Sequence, residues 1–219
     1  MIISVSRRSD IPAFYTEWFL KRLKEKYVIV KNPFNTAQAS SVDLSVEAVD
    51  ALVFWTRNPA PLMKYLSEIE AYTYYFLFTL NNYPSSFEPM LPGLEHSVTT
   101  FQRLANDIGP EKVIWRYDPV LLSPETGLEF HMRNFSSLVS RLSGSTKKCI
   151  ISFGTMYKKN IRNFREKKIR LANHEEINIL ATSFQKDATA NGISLQCCSS
   201  RPEQQTAIIP PGSCVDVEL

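Results

Sequence analysis

The chain has 219 residues, a formal net charge of +3, 44% hydrophobic residues and 21% charged residues. These values fit a globular core and exclude a disordered polyelectrolyte, and so small a positive charge does not by itself argue for nucleic acid. No apolar run approaches membrane-spanning length and no basic region precedes the first apolar run, so neither a transmembrane helix nor a secretory signal is expected, and cytoplasm is the default location.

In chain order, Ile2-Ile3-Ser4-Val5 reads as a buried strand ending abruptly in Ser6-Arg7-Arg8-Ser9-Asp10. Pro12 opens a helical pattern that runs through Trp18, Phe19 and Leu20 to Leu23. Tyr27 to Val30 is a short strand, followed by Asn32-Pro33-Phe34-Asn35 and a polar, proline-containing connection to Ser45. Val49 to Trp55 is a further apolar run that ends in Thr56-Arg57-Asn58-Pro59, with a helical pattern from Pro61 to Glu70. Tyr72 to Leu80 leads into Asn81-Asn82-Tyr83-Pro84, and the segment to Gly93 reads as a surface excursion. A helix is expected from Leu94 to Ile108, after which Val113-Ile114-Trp115 leads into Arg116-Tyr117-Asp118-Pro119. Helices from Leu128 to Leu142 and from Asn173 to Ala190 flank the run Cys149 to Phe153, which ends in Gly154-Thr155-Met156-Tyr157-Lys158-Lys159. Ile193 to Gln196 is the last strand, and from Ser199 the chain reads as extended and turn-rich.

Apolar strands that are nearly uniform, most of them separated by helices, imply a mostly parallel sheet covered on both faces. The expected fold is therefore α/β, a TIM-like barrel or partial barrel formed by residues 1–219 as a single domain. In such folds ligands bind at the carboxyl ends of the strands. The polar residues gathered there make a rim rich in arginine and aspartate, which either receives an anionic or zwitterionic small molecule or is engaged in its own turns and ion pairs. Arg7, Asp10, Arg116 and Asp118 are the candidates for catalytic contact. Arg8, Asn32, Thr56, Arg57, Asn58, Trp115 and Tyr117 are the candidates for cofactor or ligand binding.

The four cysteines show neither a zinc spacing nor a disulfide framework, in keeping with a reducing compartment, and the three histidines fall in helical patterns away from the rim. No metal ligand is assigned. The basic stretch Lys158 to Arg170 reads as a solvated surface first and as a nucleic-acid contact second.

Five segments resemble one bacterial family, domain of unknown function 1848. They are Ser6 to Tyr15, Val30 to Asn35, Val53 to Pro61, Val113 to Pro119 and Gly212 to Asp216, in order from end to end of the chain. The resemblance implies a longer protein in which a Cys-x3-Cys-x2-Cys run lies beyond the matching region, like the motif by which radical S-adenosylmethionine enzymes hold a [4Fe-4S] cluster. Cys197, Cys198 and Cys214 lack that spacing. The chain is then either a fragment that stops before the cluster segment, which is the expectation, or a natural truncation without the cluster; in the first case the cluster and S-adenosylmethionine belong to the longer protein. On that resemblance, Arg7, Arg57 or Arg116 would pair with the methionyl carboxylate and Asp10 or Asp118 with its ammonium or the ribose hydroxyls. Thr56, Asn32 and Asn58 would supply neutral hydrogen bonds, and Trp55, Trp115 or Tyr117 a stacking surface. Two alternatives stand beside it: a cluster-free barrel lyase or hydrolase acting on a phosphorylated or carboxylated metabolite, and a nucleic-acid-binding module.

Overall fold

The structure is a computed structural model that describes residues 1–5, 8–32, 34–35, 37–157, 160–198, 204, 206–213 and 215. The fold is α/β. Six strands follow one another across the main sheet in the order β1 (Ile2–Val5), β4 (Ala51–Thr56), β5 (Tyr74–Thr79), β6 (Val113–Val120), β7 (Lys148–Phe153) and β8 (Ser194–Cys197). A separate hairpin pairs β2 (Tyr27–Lys31) with β3 (Ala39–Asp43). The chain divides into two compact units, Met1–Leu77 and Phe78–Leu219, and the division falls inside β5.

In the first unit, β1 lies parallel to β4, with Ile2 opposite Ala51 and Val5 opposite Phe54. The helical pattern after Pro12 is two helices, α1 (Ile11–Phe14) and α2 (Thr16–Glu25), because Tyr15 leaves helical geometry at φ −133°. Asp10 starts α1 by accepting the Ala13 N–H on Oδ1 at 3.1 Å, with Pro12 in the first turn. Helix α2 buries Phe19, Leu20 and Leu23. Phe19 meets Phe54 edge-on at 5.6 Å, and Phe54 stacks on Phe76 at 4.8 Å. The helix stops at Lys26, which takes the left-handed conformation at φ 62°. The hairpin strands β2 and β3 are antiparallel and mostly exposed. The helix expected from Pro61 to Glu70 shortens to α3 (Ala60–Met63) followed by a 3-10 turn at Leu66–Glu68.

In the second unit, α4 (Leu94–Ile108) and α5 (Leu128–Leu142) have the bounds that the apolar periodicity predicts. A short helix, α6 (Ile161–Glu166), comes next. The last, α7 (His174–Ala190), again matches its expected bounds and begins at a capping box between Asn173 and Glu176. Strand β7 runs parallel to both of its neighbours, β6 and β8. One face of these strands is sealed by aromatic packing. Trp115 stacks on Phe135 of α5 at 5.0 Å, Phe135 on Phe184 of α7 at 4.2 Å, and Tyr117 meets Phe184 edge-on at 5.7 Å. A fully buried phenylalanine such as Phe135 contributes about 2–3 kcal/mol by its removal from water.

The strand pairings of the described residues give a six-stranded sheet and include none between β8 and β1. One expectation changes. Tyr27 to Val30 belongs to the hairpin, so Asn32 follows no strand of the main sheet. Beyond β8, Pro211 forms a parallel bridge with Cys197, flanked by bonds from Cys197 N–H to the Pro210 carbonyl and from Gly212 N–H to the Cys197 carbonyl, each 3.0 Å. Gly212 is required there, because a Cβ at that position would stand 2.6 Å from Cβ of Gln196.

Candidate functional site

Alternation along β6 sends Trp115 and Tyr117 to the helix-covered face and Arg116 and Asp118 to the opposite one. The register places Arg116 opposite Ile150 of β7, and Ile150 opposite Gln196 of β8, so Ser152 belongs to the same face as Arg116 and Asp118. Between Tyr117 and Val120 the register with β7 slips, three steps on β6 against two on β7. Asp118 and Pro119 occupy this bulge, where a proline without an N–H is tolerated and a side chain can be re-aimed. The Asp118–Pro119 peptide is cis.

Asp118 is the hub of the polar face. Its Oδ2 accepts from Nη2 of Arg116 and its Oδ1 from the Ser152 hydroxyl. The Arg116 and Asp118 side chains are 14% and 15% exposed, so the pair is shielded but reachable. Asn81, 2% exposed at the end of β5, locks the Asp118 backbone from both sides. Its Oδ1 accepts the Asp118 N–H at 2.8 Å and its Nδ2 donates to the Asp118 carbonyl at 3.0 Å. Tyr83 donates to the Pro119 carbonyl at 2.7 Å and accepts the Leu121 N–H at 2.8 Å, which fixes the chain just beyond.

A second polar chain supports this one from the helix-covered face. His131 of α5 contacts the Leu121 carbonyl through Nε2 at 2.9 Å and the Tyr117 hydroxyl through Nδ1 at 2.8 Å. The carbonyl can only accept, so Nε2 carries the proton and Nδ1 accepts from the tyrosine. Asn134 donates through Nδ2 to the Tyr117 oxygen at 3.1 Å and to the Asn81 carbonyl at 2.7 Å, and its Oδ1 accepts from Asn82 at 2.7 Å. Burial pushes the Tyr117 phenol well above its ordinary range and the His131 imidazole down to about 4, so both are neutral in the fold.

The site residues expected from sequence separate into three groups. Arg116 and Asp118 come together as described. Trp115 and Tyr117, expected as stacking surfaces, are instead core: Trp115 is 0% exposed with its indole N–H on the Leu80 carbonyl at 2.9 Å, and the Tyr117 ring lies among Trp115, Phe135 and Phe184. In the first unit, the expected polar groups hold turns. Asp10 accepts the Arg57 N–H on Oδ2 at 2.7 Å in addition to capping α1. Thr56 Oγ1 accepts the Asn58 N–H at 3.0 Å, and Asn58 Oδ1 accepts the Ala60 N–H at 3.2 Å. Asn32 closes the hairpin loop, with its side-chain amide donating to Gln38 and its Oδ1 accepting the Phe34 N–H, each at 2.9 Å. Arg8 is exposed and reaches the Lys31 carbonyl at 3.4 Å. Trp55 donates its indole N–H to the Ser4 hydroxyl at 2.8 Å. Arg7 lies outside the described residues. Sequence reasoning misses Asn81, Ser152, Asn134 and His131 as a set, and their only sequence signal is the Asn81-Asn82 pair at a strand end.

Cys149 and Cys197 are free and buried. Cys198 is disulfide-bonded, which the spacing of the four cysteines did not foretell. Burial raises both free thiols, Cys149 well above its ordinary value and Cys197 to about 11, with the Asp118 charge adding to each. No group of three metal-ligating side chains occurs among the described residues, and no described helix is long and apolar enough to cross a membrane.

The model of one protein family matches residues 2–219, almost the whole chain: Domain of unknown function (DUF1848). The chain belongs to that family. No curated protein and no solved structure gives a significant match.

Proposed function

We propose that this chain is the ligand-binding body of an enzyme of the radical S-adenosylmethionine kind, one barrel-like domain in which Arg116 and Asp118 receive the zwitterionic end of a small molecule. The observation that supports this reading is the shielded Arg116–Asp118 pair at the bulged carboxyl end of β6, anchored by Ser152 and Asn81. An α-amino acid carries a carboxylate and an ammonium two bonds apart. Such a ligand replaces the internal ion pair by two, its carboxylate on the guanidinium and its ammonium on Asp118, so neither protein charge is left unpaired. The methionyl end of S-adenosylmethionine has this chemistry.

A [4Fe-4S] cluster held by three protein thiolates does not fit the residues described: Cys149 and Cys197 are buried thiols with raised pKa values, and Cys198 is in a disulfide. The shielded Arg116 guanidinium at the strand end also supports a second reading, a cluster-free lyase or hydrolase whose carboxylated or phosphorylated substrate docks on it. Calorimetric titration separates the two. The first reading expects saturable binding of S-adenosylmethionine by the full chain, weakened at least about tenfold by Arg116→Gln with the circular dichroism spectrum retained. Binding of citrate or a sugar phosphate, but not of S-adenosylmethionine, would move the assignment to the second. Equal affinity in wild type and variant would remove Arg116 from both.

A further inference from the structure

A groove of about 400 Å³ lies within the first unit, where the corner between α1 and α2 meets α3 and the residues just after it. The Thr16 hydroxyl holds that corner by donating to the Pro12 carbonyl at 2.8 Å. Phe14, Tyr15, Trp18 and Tyr65 line the groove, and Glu17 and Lys64 supply its charges. Phe14 is 77% exposed, Tyr15 51% and Trp18 46%, and none of the four rings contacts another ring among the described residues. Glu17 and Lys64 have no ion pair or side-chain hydrogen bond among the described residues, with each other or with any third group. Aromatic side chains gathered in one exposed groove mark a binding surface, and the volume lies within the range of small-molecule sites, roughly 300–1,000 Å³.

We infer that this groove is a binding site for a small betaine, a zwitterion whose quaternary ammonium lies on the aromatic faces beside Glu17 and whose carboxylate pairs with Lys64. The charges of the lining argue the occupant. One carboxylate and one ammonium, both unpaired among the described residues, complement a ligand with one charge of each sign, whereas a simple anion or cation leaves one of them unanswered. A phosphomonoester brings about 1.5–2 negative charges against the single lysine. The rings argue the kind of cation. A primary ammonium has three N–H groups that need acceptors, and the described lining offers one carboxylate. A quaternary ammonium has no N–H to satisfy, and aromatic faces attract its charge. The site is independent of the Arg116–Asp118 reading, and its test does not involve that pair.

The probe is glycine betaine, titrated into the full chain and followed by nitrogen–proton NMR. Saturable shifts confined to α1, the start of α2, and α3 with the residues just after it are expected. Its carbon isostere, the tert-butylacetate anion, keeps the shape and the carboxylate without the cation, and is expected to bind about tenfold more weakly. Trp18→Leu, which keeps apolar bulk without the aromatic face, is expected to weaken glycine betaine about tenfold, and Glu17→Gln about fivefold. Three outcomes each overturn the proposal: shifts in wild type that do not saturate or lie elsewhere, the isostere binding as tightly as glycine betaine, or Trp18→Leu binding glycine betaine as well as wild type. The comparison of the two probes on wild type is decisive even where a variant fails to fold.

Discussion

His131 has a depressed pKa without any charged partner among its ring and hydrogen-bond contacts. It is 0% exposed, its two ring nitrogens are both hydrogen-bonded, and it touches the rings of Tyr83, Tyr117 and Phe130. Burial lowers it to about 4 from an ordinary value of 6.5, so the unfolded chain takes up a proton at higher pH than the folded chain does. The neutral imidazole therefore contributes stability that is complete above about pH 6.5, declines as pH falls and is gone below about pH 4, a loss of about 3 kcal/mol. Urea unfolding of wild type and His131→Gln across that window tests it, since glutamine can donate and accept but does not titrate. The variant is expected to be less stable at neutral pH and to lack that part of the acid-side decline. Parallel pH profiles in the two proteins would mean that the histidine does not titrate with folding.

At the scale of elements, what is legible in the sequence depends on how one-sided each segment is. Helices α4, α5 and α7 each carry a clear apolar stripe, and their limits at Leu94, Ile108, Leu128, Leu142 and Ala190 can be read from it. The apolar run of β6 stops at Trp115, because Arg116, Asp118 and Pro119 interrupt it, yet the strand extends to Val120. The interruption is the alternation itself, with aromatic residues on the helix-covered face and the ion pair on the other. Strand β3, Ala-Ser-Ser-Val-Asp, is invisible in the sequence because an exposed hairpin strand needs no apolar pattern. The site network is illegible for a different reason: Asn81, Asp118 and Asn134 meet only after three elements have folded. Asn81 carries the tightest consequence. Alanine there leaves the Asp118 N–H and carbonyl without their side-chain partners in a part-buried bulge, and Asn81→Ala is expected to cost about 2 kcal/mol. The urea midpoint measures this directly. A loss below about 0.5 kcal/mol would show that water replaces the amide and that the bulge holds its own shape.

For the whole molecule, charge decides how far the nucleic-acid alternative extends. The sequence has 25 lysines and arginines against 22 aspartates and glutamates, and its most basic stretch runs from Lys158 to Arg170. Lys158 and Lys159 lie outside the described residues. Of the others, Arg162 pairs with Glu166 at 2.7 Å, Arg170 pairs with both oxygens of Glu176, and the Lys167 ammonium stands 5.9 Å over the Phe87 ring. The two ion pairs offset only Arg162 and Arg170, and a ring contact leaves the Lys167 charge in place, so Arg165, Lys167 and Lys168 still carry theirs. A phosphate backbone laid along this stretch could meet these three cations. If the stretch binds a random-sequence DNA duplex, the logarithm of affinity should fall with the logarithm of salt concentration at a slope matching about three phosphates. Fluorescence anisotropy at several salt concentrations gives that slope. A slope matching about six phosphates would require a basic surface that these pairs do not supply, and would put the nucleic-acid reading ahead of the small-molecule one.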